Sequence, residues 1–299
     1  FNRFFIYKIY WLSLGLVFYI ITYLFYYRGL NSSFKERIAI AKSRFKGKYP
    51  KFLGLFLLIF LSTGGYLYYE TNILNKRTSS KESELQTVEW EKKYKKYENY
   101  DQPRVVSVKV EANIFPKTLD ANAKGTYVMV NKTSNAIDSL FLNHNSSIST
   151  FEFNKETDLV LEDTLYNFDI YKLKNSLYPG DSINLFFTIK NKPNTIIRNN
   201  SSVVSNGTFL NNSAFPSFGY PGGELRDDKT REKYNLPPNK LKPHPSDSTA
   251  LGNTYISKDA DWIDFEATVS TSKDQIAIAP GYLQKEWIEG DRRYFHYKM

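Results

Sequence analysis

Arg104-Val105-Val106-Ser107-Val108-Lys109-Val110-Glu111 alternates apolar and polar residues with a period of two, the pattern of a strand with one buried face. Shorter runs of the same kind follow at Gly125 to Asn131, Ile137 to Leu142, Tyr166 to Leu173 and Ser182 to Lys190. They resume at Trp262 to Ser270, Gln275 to Ala279, Leu283 to Ile288 and Arg293 to Tyr297. Tyr178-Pro179-Gly180-Asp181 and Asn206-Gly207 supply turn chemistry between runs. Residues 104–299 are thus expected to form a mostly β, antiparallel domain, saddle or sandwich-like. Having no cysteine, it must be held by packing alone. The stretch Asn211 to Asn253 breaks the pattern with Phe215-Pro216, Pro221-Gly222-Gly223, Pro237-Pro238 and Pro243. A loop of that length inside a domain is expected to be functional or to lie against a partner.

Upstream the chain changes character. Ile9 to Tyr27 and Phe52 to Tyr69 carry no charged residue. About 18 residues at ~1.5 Å rise each nearly cross a ~30 Å hydrocarbon layer, so both runs are expected to be transmembrane helices. The first is too long for the apolar part of a signal peptide, and no small-residue cleavage site follows it. Between them, Arg28 to Lys51 holds eight basic residues against Glu36 alone, seven of the chain's net +9. Charge placed between two spans is the positive-inside signal, and it argues against nucleic acid as a partner. The loop is therefore expected in the cytoplasm, with Phe1 and everything after about residue 70 outside. Phe1 in place of an initiating Met, and a strand-like run just before Met299, read as the ends of a piece cut from a longer polypeptide.

Two further helices are expected. Ser33 and Glu36 have capping-box spacing, and Phe34, Ile38, Ala41 and Phe45 recur at helical intervals opposite the basic residues. That is either an amphipathic helix on the inner leaflet or a coupling helix for a cytoplasmic ATPase. Within 71–103, Ser79 and Glu82 repeat the cap signal before Leu85, Val88, Tyr94 and Tyr97, which predicts a charged stalk or linker helix ended by Pro103. Its charges are expected to form a solvated face.

The sequence offers no complete catalytic constellation. His144, His244 and His296 are far apart and lack a His-Glu-x-x-His context, so none is assigned to a metal. There is no phosphate-cradling Gly-rich loop, no Gly-x-Ser-x-Gly elbow and no cysteine nucleophile. Asp259, Asp261, Asp264 and Glu266 form the densest acidic cluster, but without the spacing or the turn glycine of a calcium loop. They are expected to be solvated carboxylates where a strand begins. Asn-x-Ser/Thr sequons at Asn131, Asn145, Asn200, Asn206 and Asn211 are uninformative in so Asn- and Ser-rich a chain. No catalytic, cofactor-binding or metal-binding residue is assigned.

Val204 to Phe209, Phe215-Pro216-Ser217-Phe218-Gly219-Tyr220, Asp261 to Ser270 and Ile276-Ala277-Ile278-Ala279-Pro280-Gly281 together resemble the N-terminal β domain of aminopeptidase N-type zinc peptidases. Leu177 to Ser182 before Leu185-Phe186-Phe187 fits the same pattern. Where such relatives carry Asp-Glu-Pro after the Phe-Pro, this chain reads Gly219-Tyr220-Pro221-Gly222-Gly223-Glu224, and no substrate-binding residue is carried over. Spans, a charged stalk and this β domain in that order resemble bacterial fusions of an ABC-type permease with a peptidase.

The resemblance implies the junction of such a fusion in a bacterial inner membrane, with zinc and peptide substrate belonging to a catalytic domain beyond Met299. A cytoplasmic ABC-type ATPase would partner the permease part. The alternative is a membrane-anchored, extracytoplasmic β-sandwich that binds or senses without peptidase activity.

Overall fold

The structure, a computed structural model, describes residues 2–29, 33–74, 78–144, 148–191, 203–204, 207–239, 244, 246–248 and 262–299. The chain divides into two units, a helical one up to Thr78 and a second beginning at Ser79.

In the helical unit, α1 (Asn2–Phe25) and α3 (Tyr49–Tyr68) pack on each other, and α3 runs on into a π-helical turn, Tyr69–Ile73. The stretches Phe4–Phe25 and Tyr49–Ile73 have mean hydropathies of 1.8 and 1.6 and are long enough to cross a membrane. Only 17% and 6% of their apolar windows are buried, so these are not core helices of a globular unit. Their contact is aromatic: Tyr10 stacks on Phe60 with centroids 4.7 Å apart, and Tyr23 on Tyr49 at 5.0 Å. Between them α2 (Phe34–Arg44) begins on the expected capping box, with Ser33 and Glu36 bonding each other's backbone N–H. Arg44 donates to the carbonyls of Tyr23 and Tyr26 at 3.0 and 2.6 Å and so caps the C-terminus of α1.

The second unit opens with α4 (Ser80–Tyr94), whose N-cap Ser79 accepts from the Glu82 N–H. The strands are β1 (Arg104–Phe115), β2 (Asp120–Val130), β3 (Ile137–Asn143), β4 (Ile148–Phe153), β5 (Thr157–Asp163), β6 (Phe168–Leu177) and β7 (Ser182–Asn191). The two-residue β8 (Ser217–Phe218), the short α5 (Asp228–Lys233), β9 (Asp264–Ser272), β10 (Tyr282–Glu289) and β11 (Arg292–Lys298) complete it. They form a seven-stranded sheet in the order β10-β11-β9-β1-β2-β7-β4 and a four-stranded sheet in the order β5-β6-β3-β8.

The strand period decides the layers. Val110, Ala112, Tyr127, Met129, Leu185 and Phe187 of the large sheet share one buried core with Ile137, Leu140, Leu142, Leu173 and Leu177 of the small one. On the opposite face of the small sheet Phe141, Phe168 and Ile170 meet Trp90 and Tyr94 of α4. The second unit is therefore a helix laid over a two-sheet sandwich. The side chain of Asn131, 1% exposed, ties the end of β2 to β6. It donates to the Asn135 and Leu177 carbonyls and accepts from the Thr133 N–H and hydroxyl. At the β6–β7 turn Gly180 takes a positive φ of 85°, and Asp181 bonds Tyr178 in both directions.

Three sequence expectations need correction. The sheet is not wholly antiparallel: β1 and β9 pair in parallel from Ser107↔Asp264 to Asn113↔Ser270, because the chain between β7 and β9 returns to the other side of β1. Gln275 to Ala279 is not a strand. Its alternation serves packing, with Ala277 and Ala279 lying against Phe295, Tyr297 and Val269 and the Ala277 carbonyl accepting the Tyr297 hydroxyl. The segment expected as a separate stalk does not stand apart, since α4 belongs to the sandwich unit and Pro103 precedes β1 rather than ending a helix.

Candidate functional site

Each of the three histidines has a local partner. His144 sits after β3 with Nε2 3.5 Å from Asp169 Oδ2 and its ring on Phe151. His296 Nδ1 lies 3.1 Å from the Thr268 hydroxyl, and His244 Nδ1 lies 2.7 Å from the Ser246 hydroxyl. The three are on different elements, and among the described residues no cluster of His, Asp and Glu is suited to a metal ion. Of the acidic cluster, Asp259 and Asp261 lie outside the described residues, as do the sequon positions Asn145, Asn200 and Asn206. Asp264 starts β9, and Glu266 pairs with Lys109 at 3.1 Å. Asn131 is spent on the turn described above, and Asn211 caps a 3-10 turn by accepting from the Ser213 N–H.

Three surfaces remain. The first is the seam between α4 and the Pro- and Gly-rich loop. Trp90 stacks on Tyr220 at 5.7 Å, and its indole donates to the Gly222 carbonyl at 2.8 Å. Beside it Arg231, 1% exposed, forks onto Glu91, 2% exposed, at 2.9 and 2.6 Å. Arg231 also donates to the carbonyls of Pro237 and Leu225. Burial pushes the Glu91 carboxyl up, but the Arg231 hydrogen bonds and charge, with Lys95, hold it below the usual carboxylate value. Glu84 is lowered by hydrogen bonds from Lys233 first and Tyr234 second. Asp163, beside the β5–β6 turn, is pushed up by burial yet held low by Lys93, the Tyr94 hydroxyl and the Tyr166 N–H. The bonds from Trp90, Glu91, Lys93, Tyr94 and Glu84 hold α4 to the loop and the sandwich, a structural role.

The second surface is a groove of about 560 Å³ on the outer face of the large sheet. Lys109, Glu111, Lys124, Thr126, Thr150, Glu152, Phe186 and Thr188 line it, all from the strand positions opposite the core. This mixture of both charges and hydroxyls suits an extended polar chain.

The third is the β10 edge of that sheet, which no strand among the described residues covers. Every residue of β10 except Trp287 is exposed. Tyr282 is 81% exposed, and on the approach to it Ile276 and Ile278 are 69% and 84% exposed. Trp262, just ahead of β9, is 95% exposed. The burial of Glu91 is not readable in the sequence, because its partner Arg231 lies 140 positions away, and the edge is not, because local alternation does not give the strand order.

No protein-family profile and no curated protein sequence matches the chain. Among solved structures, an M1 zinc metallopeptidase from Deinococcus radiodurans is similar at 14% identity and a TM-score of 0.38, over 66% of this chain and 38% of that one. A mutant of that metallopeptidase bound to a Tyr-Ser-Ala substrate is similar at 12% identity and a TM-score of 0.37, over 66% of this chain and 39% of its own. The chain thus spans well under two thirds of the length of these structures.

Proposed function

We propose that the chain is a non-catalytic β module of a membrane-held zinc aminopeptidase, whose sandwich presents its β10 edge to a catalytic domain. The observation that carries this is the β10 edge, uncovered among the described residues. An edge strand that carries exposed Tyr282 and is approached by exposed Ile276 and Ile278 is a surface proteins ordinarily cover or blunt. The segments that resemble the peptidase β domain, Ile276 to Gly281 among them, run directly into it. In this reading α1 and α3 cross a bacterial inner membrane as the end of a permease domain, and residues after about 70 lie outside. Zinc, peptide and the hydrolytic groups belong to the catalytic domain, and a cytoplasmic ATPase serves the permease.

The test is sedimentation of residues 79–299, which include α4 because it packs into the sandwich. Concentration-dependent association, abolished by Ile278→Glu with Tyr282→Lys, is the expected result. A monomer that binds no apolar dye contradicts it and favours the second reading, a self-sufficient binding or sensing module. The groove over Lys109, Thr126 and Thr188 is the feature that supports that rival. Downstream in the same reading frame, a His-Glu-x-x-His helix is expected under the first reading alone.

A further inference from the structure

Most of the positive charge between the two long helices has no balancing acid among the described residues. Arg28, Lys35, Lys42, Lys46 and Lys48 are exposed and make no ion pair among the described residues. The loop's single acid, Glu36, is spent on the capping box, where its carboxylate accepts the Ser33 N–H at 2.9 Å. Cations crowded into one short loop, with neighbours about a Debye length apart, repel one another, so an external counter-charge is favoured.

Where that counter-charge lies follows from α2. Positions 34, 38, 41 and 45 share one helical face. Ala41, 8% exposed, is packed among Ile20 and Leu24 of α1 and Leu53 and Phe56 of α3, so the face is turned toward the two apolar helices. At its ends Phe34 and Phe45 are 73% and 47% exposed, and Arg44, bonded to the last carbonyls of α1, fixes the orientation. Two aromatic rings on the side facing the spans, with lysines flanking them, form the arrangement of an interfacial helix.

We infer that α2 and its flanking lysines bind the anionic phospholipid headgroups of the bordering leaflet, with Phe34 and Phe45 seated at the acyl boundary. This rests on the reading of α1 and α3 as membrane spans, and goes beyond it by naming the ligand of the loop. A zwitterionic leaflet gives the rings the same apolar boundary but no net counter-charge, so the lipid's charge is the discriminating variable.

The test places the full chain in nanodiscs of phosphatidylcholine alone or of phosphatidylcholine with phosphatidylglycerol, and follows hydrogen exchange. Amides of residues 34–46 are expected to exchange about tenfold or more slowly in the anionic discs, with the difference shrinking as salt is raised. Replacing Lys35, Lys42, Lys46 and Lys48 together by glutamine is expected to remove the difference. Equal exchange of α2 in the two discs overturns the inference, as does equal slowing by inorganic phosphate added to the phosphatidylcholine discs, which assigns the site to free anions. Exchange in α1 and α3 is read in the same experiment: if they are unprotected in both discs, the spanning reading fails and this inference with it. Protection of the spans without any response in α2 refutes the inference alone.

Discussion

Removing the Arg231 side chain is the most informative single change in the sandwich unit. Arg231→Met keeps most of the volume but strips the fork from Glu91, which is 2% exposed, and the donors from the Pro237 and Leu225 carbonyls. A buried charge deprived of its partner costs about 3–5 kcal/mol. Lys95, with its ammonium 3.5 Å from Glu91, is a partial substitute and places the expected loss toward the lower end. For a unit of this size such a loss lowers Tm by roughly 6–20 °C. Differential scanning calorimetry or denaturant titration of residues 79–299 measures it. Glu91→Leu combined with Arg231→Met is expected to be less damaging than Arg231→Met alone, since an apolar pair leaves no orphaned charge. A loss below about 1 kcal/mol, in the range of a solvated surface pair, would refute the reasoning.

Gly125→Ala is expected to cost about 1–3 kcal/mol by overpacking, because a Cβ there would lie 2.2 Å from Phe187 Cζ; Phe187→Leu in the same chain is expected to restore part of the loss in a melting assay. Asn131→Leu removes both donors from the Asn135 and Leu177 carbonyls, and about 2–4 kcal/mol of stability should disappear in urea titration. Glu91 and Asp163 are held below their ordinary carboxylate values, so the stability they contribute is present above the unfolded value and lost as pH falls through the folded one. Hydrogen exchange in 80–97, corrected for intrinsic rate, is therefore expected to accelerate as pH falls from about 5 to about 3, ahead of the sandwich core. Acceleration on raising the pH instead would reverse the assigned sign.

What the sequence discloses and what it hides divide along physical lines. Local signals survive translation into structure: the charge-free runs are α1 and α3, Ser33 and Ser79 cap the helices that follow them, and the alternation from Arg104 is β1. Strands with two wet faces are hidden. β5 borders the small sheet with Leu159 and Val160 exposed, so no alternation betrays it. Long-range pairing is hidden too. Nothing local tells Glu91 that it will meet Arg231 140 residues later, and so a helix with the composition of a solvated stalk is a packed part of the sandwich. The Pro- and Gly-rich stretch is expected to be functional or to lie against a partner; its described part contains β8 and α5 and lies against α4 of its own chain.

The most direct measurement exploits the absence of cysteine from the chain. Single replacements Lys46→Cys in the basic loop and Asp138→Cys at an exposed site on β3 can each be challenged with a membrane-impermeant maleimide in intact spheroplasts. Immediate labelling at 138, with labelling at 46 only after lysis, is the result required of a membrane-held external module. Labelling at 46 from outside, or at both positions alike, contradicts it.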